Sequence, residues 1–199
     1  MYTVYGDHRS GNCYKLKLAL EQLGLQYRWI NVGVVNGETR SDEFLRRNLN
    51  GKVPVLKLPD GRYLPESNAA LNYLADGSAL LPSERFERAQ MLQWMFFEQY
   101  SHEPFIATAR YIVQYLGRPA EREADLQAKM APGYRALDVM EQHLSENSFF
   151  AAARYSIADI ALYAYTHTAT EGGFDLGTYP NVRAWLDRVA NQDGHVVQG

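Results

Sequence analysis

Cysteine is nearly missing from this chain: Cys13 is the single one. That excludes an intrachain disulfide, a CxxC zinc site and a dithiol redox pair, and fits a reducing compartment. Long apolar runs are missing too. No stretch approaches the roughly 18 apolar residues of a membrane span, and the N-terminal MYTVYGDHRS lacks the basic start and apolar run of a signal peptide. A cytoplasmic protein without a membrane partner is expected. An excess of one charge is absent as well. Twenty Lys and Arg against 23 Asp and Glu leave a net charge of -3, so no electrostatic partner such as nucleic acid is expected. His8, His102, His143, His167 and His195 show no metal-ligand spacing, and no metal is expected. What is present, 46% hydrophobic and 22% charged residues, matches an ordinary globular chain with a sizeable core.

The first third alternates strand-like and helical runs. Tyr2 to Tyr5 is short and β-prone, Gly6 to Asn12 is turn-like, and Tyr14 to Leu23 carries apolar residues at helical spacing before Gly24 as C-cap. Tyr27 to Val32 reads as a second strand and Ser41 to Arg47 as a short helix. Val53 to Leu58 and Arg62 to Leu64 flank the turn signal Pro59-Asp60-Gly61 and predict an antiparallel hairpin. Glu66 to Ala75 predicts a covering helix. The order β-α-β-α-β-β-α is that of a thioredoxin-like α/β domain over 1–77. Gly77 to Ser83, with Pro82, reads as a linker, and 84–199 reads as all helix. There the apolar sets are Met91, Leu92, Met95 and Phe96; Leu137, Met140 and Leu144; Ile157, Ile160, Ala161 and Ala164; Val182, Trp185, Leu186 and Val189. Pro104 and Pro132-Gly133 predict kinks or breaks, and Pro180 suits a first helical turn.

Three local patterns carry chemistry. Pro54 stands at a strand start, where its missing N–H demands an edge or a bulge. Further on, Glu66-Ser67-Asn68 places an acid, a hydroxyl and backbone N–H groups at a helix N-terminus, where a carboxylate can bind. Ser67 read alone serves equally as a helix cap. Ser156-Ile157-Ala158-Asp159 is an S-x-x-D capping box, for which a structural role suffices.

Val53-Pro54 followed by Glu66-Ser67, with an apolar helix behind, resembles the glutathione-binding signature of the glutathione S-transferase family, and Ser156 to Asp159 resembles that family's N-capping box. The resemblance runs over essentially the whole chain. It implies a thioredoxin-like N-terminal domain and an all-α C-terminal domain, glutathione as co-substrate, a homodimer and a role in detoxification. It further implies a cis bond before Pro54, with the Val53 backbone meeting the cysteinyl part of glutathione, Glu66 and Ser67 the γ-glutamyl end, and Lys52 the glycine carboxylate. Asp7-His8-Arg9-Ser10-Gly11-Asn12-Cys13-Tyr14-Lys15 is similar to the serine-type loop of theta-like classes and the hydroxyl-x-Asn loop of some nu-like ones, which makes Ser10 and Asn12 the activating pair. A thiol with pKa near 8.5 is shifted towards thiolate when a hydroxyl donates to it at a helix N-terminus. Ser10 alternatively only caps its helix. Cys13 is the rival nucleophile, since a first-turn cysteine has a lowered pKa and can form a mixed disulfide. Tyr2 and Tyr5 precede the loop and read as core.

An acceptor site is expected where the two domains meet, walled by Trp94 to Phe105 with Tyr100, His102, Phe105 and Arg110, and taking a small hydrophobic electrophile. The same stripe, with Glu98 and Gln99, reads as core or dimer interface. The implied reaction is conjugation of the glutathione thiolate to that electrophile. The alternatives are a glutathione-dependent disulfide reductase or peroxidase using the same site, and a non-catalytic binding module of the same fold.

Overall fold

The computed structural model describes residues 1–199, which form two compact units, Met1–Leu81 with Gln192–Gly199 and Pro82–Asn191. No helix is long and apolar enough to cross a membrane.

In the first unit, strands β1 (Tyr2–Gly6), β2 (Tyr27–Asn31), β3 (Val55–Lys57) and β4 (Tyr63–Pro65) build one sheet in the order β2-β1-β3-β4. β1 and β2 run parallel, and the other pairs are antiparallel. The β3 ladder begins at Val55, two residues later than the sequence pattern suggests, because Pro54 has no N–H to donate. The β3–β4 turn is closed by Leu58 N donating to Arg62 O (2.8 Å). Side chains alternate across the sheet. Val4 and Leu56 join Leu16, Leu20, Ala70 and Leu74 beneath helices α1 (Gly11–Gln22) and α3 (Ser67–Ala75). Tyr5 and Val55 join Val32 and Phe44 under the short α2 (Asp42–Leu45). Each of the Val, Leu and Phe side chains among them contributes about 1.5–3 kcal/mol of burial.

The C-terminal tail closes this unit instead of belonging to the helical one. Tyr14 Oη donates to Val196 O (2.7 Å), Lys17 Nζ to Gly199 O (2.8 Å) and Gln198 Nε2 to Arg9 O (2.7 Å). These bonds hold the tail along α1, a departure from the sequence pattern, which assigns 84–199 to the helical region.

The second unit contains α4 (Arg85–Phe97), α5 (Glu103–Arg110), α6 (Glu123–Leu144), α7 (Ile157–Thr166) and α8 (Pro180–Ala190), with π-helical turns at Glu98–His102 and Tyr111–Tyr115. Every residue of α7 is buried, the mark of a helix enclosed on all sides. The buried face of α4 is Met91, Trp94 and Met95. Phe96 is 70% exposed, a correction to the expected apolar set that follows from the i, i+3, i+4 spacing. Pro104 lies in the first turn of α5, directly after a π-helical turn. Pro132 does not break α6. Its neighbour Gly133 is explained by packing: a Cβ there would lie 2.4 Å from the buried Phe174 ring.

Candidate functional site

The site starts in the loop after β1. Asp7 Oδ1 accepts Arg9 N (2.9 Å) and Asp7 O accepts Ser10 N (3.0 Å), a tight turn that delivers Ser10 to the N-cap of α1. Ser10 Oγ accepts Cys13 N (3.4 Å), which leaves the hydroxyl its own proton to donate. Capping and donation are therefore compatible in this residue.

Cys13 is fully buried. Its Sγ packs so closely on Gly6 that a Cβ at that glycine would approach it to 2.9 Å. Burial pushes the thiol up to about 12, outweighing the lowering by the Ser10 hydroxyl and the Asp7 backbone. An enclosed, protonated thiol is a poor nucleophile at neutral pH. Tyr5 is buried in the core and Tyr2 is half-buried at the start of β1.

The first turn of α1 meets the start of α3. Asn12 Oδ1 accepts the Ser67 hydroxyl (3.0 Å). Lys15, one turn further along α1 and fully buried, directs Nζ at Ser67 Oγ (3.5 Å) and Asn68 Oδ1 (3.3 Å). The N-cap of α3 is Glu66, at φ 68 and ψ 110, and it makes no side-chain cap bond. Ser67 is thus the first helical residue and does not cap, because its hydroxyl is turned to Asn12. The result is an N-terminus carrying the positive end of a helix dipole with a buried ammonium beside it, an arrangement suited to a carboxylate.

The third wall is the segment 48–54. Buried Asn48 clamps it, with Nδ2 donating to Lys52 O (2.8 Å) and Oδ1 accepting Asn50 N (3.0 Å). Gly51 has φ +64, and a Cβ there would meet Thr39 O at 2.9 Å, so the tight path needs glycine. The Val53–Pro54 bond is cis, Val53 is half-buried and Lys52 is exposed.

In the helical unit, Tyr100 (86% exposed) and Phe105 line a hollow of about 320 Å³ with Phe97, Ser101, Pro132 and Arg135. His102 and Arg110 lie elsewhere, in the interior of the unit. His102 Nε2 sits 2.9 Å from Thr166 Oγ1, and Arg110 Nε donates to Glu171 Oε2 (2.7 Å). Sequence reasoning passed over Lys15 and Asn48. The available signal for Lys15 was a charge between Tyr14 and Leu16 on a helix whose neighbours are apolar.

A thioredoxin-like unit with an open helix N-terminus beside a hydroxyl-x-Asn loop, joined to an all-helical unit, defines a class. Models of the glutathione S-transferase N-terminal and C-terminal domains match residues 9–76 and 94–193, and the chain belongs to the glutathione S-transferase family. It is 57% identical to a glutathione S-transferase of Pseudomonas fluorescens Pf-5, whose crystal structure it matches at a TM-score of 0.97 over 99% of this chain and 98% of that one. It is 31% identical to the disulfide-bond oxidoreductase YfcG of Escherichia coli K12, over 91% of this chain and 86% of the relative. A second family member from Pseudomonas fluorescens Pf-5, crystallised with two glutathione molecules bound, is 26% identical with a TM-score of 0.83, over 97% of this chain and 89% of that one.

Proposed function

We propose that this protein binds glutathione at the α1–α3 junction and joins its thiolate sulfur to a small hydrophobic electrophile. The observation that carries the reading is the start of α3: an N-terminus with no side-chain cap, flanked by buried Lys15, with Ser67 tied to Asn12 in the loop that presents Ser10. In this reading the γ-glutamyl carboxylate lies on the α3 N-terminus with Glu66 and Ser67 around it. The Val53 backbone beside Pro54 pairs with the cysteinyl unit, and Lys52 attracts the glycine carboxylate. Ser10 Oγ–H and the Asn12 amide donate to the sulfur and favour thiolate over thiol. The thiolate attacks the electrophilic carbon, a C–S bond forms, the leaving group departs with the bonding electrons, and the proton lost from the thiol goes to solvent.

The exposed Tyr100 and the hollow beside it supply apolar surface for an acceptor or for a second copy of the chain, in keeping with a homodimer. A cytoplasmic, detoxifying role completes the reading. The second reading, glutathione-dependent disulfide reduction or peroxide reduction at the same site, is favoured by the similarity to the E. coli oxidoreductase. In that case the reducing electrons come from two glutathione thiols, since Cys13 is enclosed.

The deciding experiment is glutathione titration by calorimetry, with the bound thiol titrated by thiolate absorbance in wild type and Ser10→Ala. It is followed by turnover of an activated haloarene and of a small mixed disulfide. Binding with a lowered thiol pKa that rises in Ser10→Ala, together with haloarene conjugation, is the expected result. Disulfide turnover alone selects the second reading, and no binding at all sinks both.

A further inference from the structure

Lys15 is the one charge buried where α1 meets α3. Of the other charged residues of α1, Lys17 reaches tail carbonyls and Glu21 accepts the Tyr27 hydroxyl. Ser67–Ala75 contains no charged residue. The flanking segments carry the buried Asp7 in the loop after β1 and the exposed Glu66 before α3.

The bonds around Ser67 run in one direction, from Lys15 through the hydroxyl to Asn12. An ammonium only donates, so Lys15 Nζ takes one lone pair of Ser67 Oγ and favours a hydroxyl proton turned away from the cation, and that proton is donated to Asn12 Oδ1. Asn12 therefore presents Oδ1 to Ser67. Because oxygen and nitrogen lie on opposite sides of an amide carbon, its NH2 faces away from Ser67. A flipped amide would have to donate to the remaining lone pair of Ser67 Oγ, beside the ammonium, and would offer a carbonyl oxygen, a repelling group, to a thiolate.

We propose that Lys15 is a positioning residue which, through the Ser67 hydroxyl, holds Asn12 with its amide nitrogen as the donor to the glutathione sulfur. The proposal rests on the glutathione reading above and adds a coupling to it: the residues at the carboxylate end of the ligand set the acidity at its sulfur end.

The test uses the full chain and glutathione itself, with Lys15→Met, which keeps the side-chain length and removes the charge and donor. The readouts are the affinity by calorimetry and the pKa of the bound thiol by absorbance at saturating glutathione. The expected result is a rise of about one unit, which cuts the thiolate fraction at pH 7 by up to about tenfold, beyond any change in affinity. Ser67→Ala, which breaks the chain at its middle and leaves the lysine in place, should raise the thiol pKa in the same direction as well as weaken binding, and it serves if Lys15→Met does not fold. A folded variant with weakened binding or a lower melting temperature and an unshifted thiol pKa overturns the proposal. If wild type lowers the thiol pKa and neither variant moves it, only the coupling fails. If wild type does not bind glutathione, the underlying reading fails and the coupling with it.

Discussion

Helices α3 and α7 begin with similar sequences and opposite physics. Each starts with a serine and a carboxylic residue next to an apolar run, Glu66-Ser67 in one and Ser156 to Asp159 in the other. At α7 the capping groups are satisfied by each other and by donors from neighbouring segments. Ser156, extended at φ -148 and ψ 175, accepts Ala158 N, and the Asp159 carboxylate accepts Ser156 N and the Ser156 hydroxyl at Oδ2, and Phe150 N and Trp185 Nε1 at Oδ1. At α3 the cap residue sits at positive φ, its side chain caps nothing, and the serine faces another element. A helix end closed by its own sequence supports the fold, while one left open with a buried cation beside it is prepared for an anion from outside.

The largest effect that tests this contrast is at Asp159. Asp159→Ala strips the acceptor from four donors in a buried setting, and stability should fall by roughly 3 kcal/mol or more, read as a lower midpoint in urea. Glutathione affinity of the folded fraction should stay at the wild-type value. A variant that loses affinity while keeping its midpoint would break the assignment of α7 to structure. The carboxyl also has a pH signature. Burial raises its pKa from 3.8 to about 6, against the lowering by Trp185, Phe150 and Ser156. The folded state thus holds this proton more tightly than the unfolded chain. The stability this supplies is present below about pH 4 and is lost as pH rises towards 6. Asp159→Asn, neutral throughout, should lack that slope, so the stability difference between wild type and variant should change between pH 4 and 7.

Ser67→Ala is the matching change at the open end, with the weights reversed. The hydroxyl links Lys15 to Asn12 and supports no helix cap. Melting should therefore shift by no more than a change of about 1 kcal/mol implies, while glutathione affinity falls about tenfold, the order of magnitude for loosening Asn12 as a donor to a charged sulfur. A large stability loss with intact binding would make α3 a second α7.

How much of this contrast was legible in the sequence depends on the range of the interactions. The strand and helix order, the hairpin turn at Asp60-Gly61 and the capping box at Ser156 are local patterns, and they were readable because their partners lie within a few residues. The direction of the Ser67 hydroxyl is not local. It is decided by Asn12 and Lys15 on another helix, which no periodicity reports. The same holds for the tail on α1, for Trp94 displacing Phe96 from the buried face, and for His102 and Arg110, whose partners Thr166 and Glu171 lie far along the chain. Cys13 shows the limit of a positional rule. A first-turn cysteine has the dipole in its favour, yet packing against Gly6 leaves burial as the stronger influence.

The smallest expected effect is the sharpest test of an open end held under tension. Glu66 occupies φ 68, where a side chain costs on the order of 1–3 kcal/mol, whereas Ser156 at the start of α7 is relaxed. Glu66→Gly releases that strain and adds back the entropy that glycine loses on folding, about 0.5–1 kcal/mol. The net change in stability should be neutral to favourable, within about 1 kcal/mol by denaturant unfolding. Glutathione affinity should fall in the same variant, because the carboxylate is lost and the α3 N-terminus is no longer held at one angle by a restricted residue. A glycine variant that is clearly destabilised would mean that the Glu66 side chain makes contacts supporting the fold. The start of α3 would then be stabilised from within, as α7 is, and the contrast between the two helix ends would lose its basis.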